Sequence, residues 1–117
     1  GPAGRRAQAR REDTLSLEEL CRAAAWLLKW GGGFTLVHRP ERLAEVMWHL
    51  KTCGLEPKRL QLLRHQPQKP VSLLLLEAKK GAAPGLLLEP DLILRDEAGR
   101  ETAQCRALYH RDGKECD

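Results

Sequence analysis

Residues 29–43 read KWGGGFTLVHRPERL, and the fold turns on them. Gly31-Gly32-Gly33 stops a helix, because glycine takes a left-handed C-terminal cap without the cost a Cβ imposes. Phe34 to Arg39 is a strand, with Phe34, Leu36 and His38 on one face and Thr35 and Val37 on the other. Pro40 suits the first turn of a second helix, and Glu41 beside it favours the helix dipole. Helix, strand, helix is the rhythm of a nucleotide-binding α/β sheet. A glycine run also suggests a phosphate cradle, but a cradle needs a helix N-terminus after the glycines. Here a helix precedes them and a strand follows, so the run is a turn.

Upstream, Ser16 and Glu19 form a capping box, and Leu15 and Leu20 stand at staple spacing. The spacing predicts a helix over 16–30. Leu17, Leu20, Cys21, Ala24 and Leu28 make one apolar stripe, and Ala23, Trp26, Leu27 and Trp30 a second. A helix apolar on two sides needs two neighbours, more cover than so short a chain supplies. Residues 1–13 hold glycine, arginine and glutamine without an apolar period and read as a flexible arginine-rich leader. No strand and no glycine loop precede the helix. The chain is therefore expected to be the second half of an α/β enzyme, without the half that holds a cofactor.

Downstream, Leu43, Val46, Met47 and Leu50 form one helical face, and Gly54 ends that helix. Arg59 to His65 is the next strand, and Pro67 and Pro70 make a turn after it. Val71 to Ala78 contains four consecutive leucines, which predicts a central strand buried on both faces. The short turn makes it antiparallel to 59–65, and the helical crossover makes 34–39 and 59–65 parallel. Strand 71–78 is thus placed between them. Leu86 to Arg95, interrupted by Pro90, reads as one or two short edge strands. Thr102 caps a last helix through Tyr109, and residues 111–117 are a polar tail. One partial α/β domain over 14–110 results.

At 117 residues the chain has room for one small, leucine-dominated core. Twenty basic against 16 acidic residues give a net charge of +4, too mild to identify a polyanionic partner by itself. Cys21, Cys53, Cys105 and Cys116 lack metal-knuckle spacing, and Cys21 and Cys53 fall inside predicted helices as buried thiols. That usage suits a reducing, cytoplasmic setting. No apolar run approaches the roughly 20 residues of a membrane span, and the arginine-rich start, without a hydrophobic segment, is not expected to act as a signal peptide. Ser16 is a cap, Ser72 a strand residue, and His49 and His110 have no partners at triad spacing, which excludes a hydrolase triad.

Several segments together resemble one family. They are Glu19…Arg22-Ala23-Ala24…Leu27-Leu28-Lys29, Gly32-Gly33-Phe34, Val37-His38-Arg39-Pro40-Glu41-Arg42-Leu43, Gly54-Leu55-Glu56-Pro57-Lys58-Arg59-Leu60 and Asp96-Glu97-Ala98-Gly99. The pattern is similar to the bacterial valine-tRNA adenine N6-methyltransferases, over nearly all of residues 10–110. The resemblance implies the C-terminal half of a class I methyltransferase Rossmann-like sheet: two parallel strands, an antiparallel strand between them, and flanking helices. It also implies S-adenosylmethionine and tRNA as cofactor and substrate of the intact enzyme. The family's glycine loop, its acidic ribose ligand and its Asn-Pro-Pro-Tyr segment are not in this chain. No catalytic, cofactor-binding or metal-binding residue carries over, so no cofactor binding and no activity are expected of the chain alone. The Arg10-Arg11-Glu12 neighbourhood resembles the link that follows Asn-Pro-Pro-Tyr.

Candidate RNA contacts follow. His38, Arg39 and Arg42 stand at the carboxyl end of a parallel strand, where ligands bind in open α/β sheets. The bland alternative pairs Arg39 or Arg42 with Glu41 or Glu45 and packs His38 in the sheet. Lys58 and Arg59, with Arg64, His65 and Lys69, form a second cationic cluster or a solvated face. Arg10 and Arg11 are the leader's candidates. A non-catalytic methyltransferase-like interaction module, self-associating or bound to a partner, is the alternative to an enzyme. The missing N-terminal half or a second copy is the expected partner. Strand 34–39 would offer it an unpaired edge, unless the leader or residues 86–95 cover that edge.

Overall fold

The computed structural model describes residues 16–109. Helix α1 (Leu17–Leu27) leads to strand β1 (Gly33–His38), a 3-10 turn (Pro40–Arg42) and helix α2 (Leu43–Thr52). Strands β2 (Leu55–Arg64), β3 (Val71–Lys80), β4 (Leu87–Leu88) and β5 (Leu92–Ile93) follow, then helix α3 (Ala103–Tyr109).

Strand β3 lies between β1 and β2 and runs antiparallel to both, so β1 and β2 are parallel. This is the order expected from the short 66–70 turn and the helical crossover. The pairing aligns Leu36 with Leu76 and Leu76 with Leu60. These leucines, with Leu74, meet Cys21 of α1 and Val46 and Leu50 of α2 in one core. Leu43 and Met47 pack against its margin, as the helical face of α2 requires.

The capping box forms as read: Ser16 Oγ accepts from the Glu19 N–H at 3.1 Å, and Glu19 Oε1 accepts from the Ser16 N–H at 3.0 Å. The Ser16 backbone N–H foremost, and the Ser16 hydroxyl after it, hold the Glu19 carboxyl below its ordinary range. Leu15, the expected staple residue, lies outside the described residues, as do the leader and the polar tail.

Three expectations are corrected. First, α1 stops at Leu27, not at the glycine run. Its last carbonyls are taken by a distant side chain: Lys80 Nζ donates to Ala25 O at 2.6 Å and Leu28 O at 3.0 Å. The glycines instead bind the end of β3, Gly31 N–H donating to Lys80 O and Lys80 N–H to Gly32 O, each at 2.8 Å. Trp30 is therefore outside the helix.

Second, β2 begins at Leu55 and runs through Pro57. The pairing register slips between Pro57 and Arg59, which leaves Lys58 as an extra residue, the kind of site where a strand tolerates proline.

Third, the leucine run is not buried on both faces. Leu74, Leu76 and Ala78 are buried, whereas Leu73 and Leu75 are half-buried on the face opposite α1 and α2. Among the described residues no helix covers β3 on that side.

The alternative in which residues 86–95 cover β1 does not hold. Strands β4 and β5 pair in parallel with β2, at the other side of the sheet. The outer edge of β1 is unpaired among the described residues.

Candidate functional site

The carboxyl end of β1 carries the strongest candidates. The backbone leaves the sheet at His38 and enters the 3-10 turn through Arg39 and Pro40, whose fixed φ suits that entry. His38 is half-buried, and its Nδ1 accepts from the Arg39 N–H at 2.9 Å. That bond leaves Nε2 as the second ring position. Arg39 pairs with Glu41 at 3.4 Å, and both are largely exposed. Arg42 pairs with Glu45 through two contacts, one from Nε and one from Nη2 at 3.1 Å. Exposed pairs of this kind contribute roughly 0–1 kcal/mol, so a phosphate that binds more strongly displaces them at small cost. His38 and Arg39 also border an open groove with Leu17, Leu20 and Leu73. This end of the sheet thus offers two guanidinium groups and an imidazole beside an apolar hollow.

The second cluster does different work. Lys58 Nζ donates to Ala83 O at 2.7 Å. Arg59 holds Glu89 at 2.8 Å, and Arg64 holds Asp91 at 2.8 Å. Arg64 Nη1 also donates to Lys69 O at 2.7 Å, and Gln61 Nε2 to Pro90 O at 3.0 Å. The cations of β2 latch residues 83–91 beside their strand. That role was not legible from a charge cluster, because Glu89 and Asp91 lie about thirty positions away in sequence.

The two clusters do not form one surface. Thr35, Glu77 and Arg59 stand at one level of the sheet, and His38, Leu74 and Leu62 at another. Arg59 lies on the open face, bordering a hollow with Thr35, Gln61, Leu75, Glu77 and Glu89. Glu77 and Glu89 there offset the arginine, so this hollow is not an anion site. Arg10 and Arg11 lie outside the described residues.

A cofactor cradle requires a strand, a glycine loop and a helix N-terminus in that order. The β1–α2 passage supplies Arg39-Pro40 instead. Gly31, Gly54, Gly81, Gly85 and Gly99 take positive φ, but none opens a helix. Residues 16–109 therefore do not fit S-adenosylmethionine. Among them no three His, Cys, Asp or Glu side chains stand close enough to hold a metal ion. No described helix is long and apolar enough to cross a membrane. Cys21 is buried in α1 and Cys53 half-buried at the end of α2, both as free thiols.

No family model matches the chain, and no curated protein sequence is significantly similar to it. Among solved structures it is similar to a predicted O-methyltransferase from Agrobacterium tumefaciens, with a TM-score of 0.72 and 22% identity. The similarity covers 79% of this chain and 44% of that one, so the chain spans less than half of its neighbour's length. The fold is a mixed α/β sheet with helices, similar to that of a methyltransferase.

Proposed function

We propose that the chain is the C-terminal portion of an S-adenosylmethionine-dependent tRNA adenine N6-methyltransferase. The observation that carries the reading is the reversed strand β3 set between the parallel strands β1 and β2. A dinucleotide dehydrogenase sheet is parallel at that place. The likeness to a methyltransferase structure supports the same class. The segments around His38–Leu43 and Gly54–Leu60 give the tRNA reading, and the strand-end trio His38, Arg39 and Arg42 gives it chemistry suited to phosphate. The cofactor and the target adenine would be held by a preceding half. That half, or in its absence a second copy, would pair with the open edge of β1.

The test uses the native protein, captured from its source cells with an antibody to residues 16–109. Its mass is measured, and it is incubated with labelled S-adenosylmethionine and tRNA before nucleoside analysis. A mass above 13.2 kDa and label in N6-methyladenosine are expected. Label in an O-methylated product, or none in RNA, overturns the substrate assignment. A mass of 13.2 kDa with no transfer favours an interaction module.

A further inference from the structure

The first turn of α1 constrains the chain that enters it. Ser16 and Glu19 make both bonds of the capping box, so Ser16 is the N-cap and Leu20 holds the fourth helical position. An apolar residue just before such a cap packs on the fourth position and sets the angle at which the chain enters the helix. Leu15 is that residue.

Leu20 is half-buried. With Leu17 it packs against the core on one side and borders the open groove at the carboxyl end of β1 on another. Val37 and Leu73 of the sheet line this groove too, and its lining is apolar apart from His38 and Arg39. The residue on which a staple packs is thus itself part of an apolar hollow.

We propose that residues 10–15 dock across the carboxyl end of β1, with the Leu15 side chain seated in this groove. Leu15 directly precedes the first described residue, and it is tethered beside the groove by one peptide bond to the N-cap. A short tether gives it an effective concentration on the order of millimolar. A second copy would have to displace it from a much lower concentration. Asp13 and Glu12 come next along the leader. His38 can answer one of them: its Nδ1 accepts from the Arg39 N–H, so Nε2 carries the ring proton and donates. Arg11 and Arg10 follow, four and five residues from Leu15, at most about 13 to 18 Å of extended chain. Docking therefore places them at the same end of the sheet as Arg39 and Arg42, as contacts for one RNA. That consequence rests on the reading of the chain as part of a tRNA methyltransferase; the docking itself does not.

The test is trypsin cleavage of the full 117-residue chain, followed by mass spectrometry. Cuts after Arg10 and Arg11 are timed, with cuts after Arg5 and Arg6 as the internal control. Leu15→Ser is expected to speed the first pair of cuts roughly tenfold, the effect of withdrawing a leucine from an apolar site, while the control cuts keep their rate. Leu15→Met should keep the slow rate, because methionine fills irregular apolar space. Leu73→Ser, checked for folding by circular dichroism, should speed the same cuts from the sheet side. Unchanged cutting in Leu15→Ser overturns the docking. So does slow cutting that grows with chain concentration, since a second copy would then fill the groove. tRNA binding by the native protein is scored separately, and Leu15→Ser should weaken it as Arg10→Gln with Arg11→Gln does. Protection from trypsin without that loss strikes the shared RNA surface. No tRNA binding by the unaltered protein strikes the functional reading, and the docking is judged by trypsin alone.

Discussion

Lys80 Nζ stands 2.6 Å from the carbonyl oxygen of Ala25, so the last residue of β3 caps the end of α1. Helix α1 has no basic residue in its own last turn. The lysine supplies a cation where the helix dipole is negative and satisfies carbonyls that the helix leaves free. Lys80→Met keeps the aliphatic stem and removes the donor. It is expected to destabilise the chain by about 1–3 kcal/mol, read as a lower urea midpoint. An unchanged midpoint would mean that water caps the helix equally well.

Arg39→Ala and Arg42→Ala separate binding from folding. Their partners Glu41 and Glu45 are more than half exposed, so each change should cost less than about 1 kcal/mol of stability. In the native protein, each is expected to weaken tRNA binding and to lower the salt slope by about one ion. Cofactor affinity should not move. Unaltered tRNA affinity and salt slope in both variants would leave the two arginines a purely local role.

Alkaline stability reports on the core thiols. Burial raises Cys21 from 9.0 to about 11, with Cys53 adding to the rise, and burial likewise raises Cys105. The unfolded chain then loses the Cys21 proton first. The contribution is fully present below pH 9.0 and is lost as pH rises toward about 11. Urea titrations across that window should show falling stability, and Cys21→Ala should make the fall shallower. The same slope in the variant would assign the loss to other groups.

The edge of β1, unpaired among the described residues, predicts self-association of the 117-residue chain on its own. Light scattering at micromolar concentration should give twice the monomer mass of 13.2 kDa. Val37, which is 53% exposed on β1, is the place to disturb it. Val37→Lys adds a charge of the kind that blunts sheet edges and should restore the monomer. Trp30→Ala should leave the dimer intact. A monomer in the unmodified chain would show that the edge is covered.

The sequence by itself determined what short-range patterning controls. Ser16 and Glu19 fixed the start of α1, and the Leu43, Val46, Met47, Leu50 face fixed the side of α2 that meets the sheet. The prolines at 67 and 70 forced the reversal that places β3 between β1 and β2. Each of these rests on neighbours within one or two turns of the chain. The tertiary structure decided the rest. Lys80 ended α1 from 52 to 55 positions away, so the glycine run served the sheet rather than the helix. Glu89 and Asp91 claimed Arg59 and Arg64, so a cationic cluster became a set of latches. Trp30 came to rest on Gly81, far off in sequence, and only that contact distinguishes a held indole from a stray one. Ion pairs and capping bonds between distant residues form only once the backbone has brought them together, and local spacing holds no trace of them.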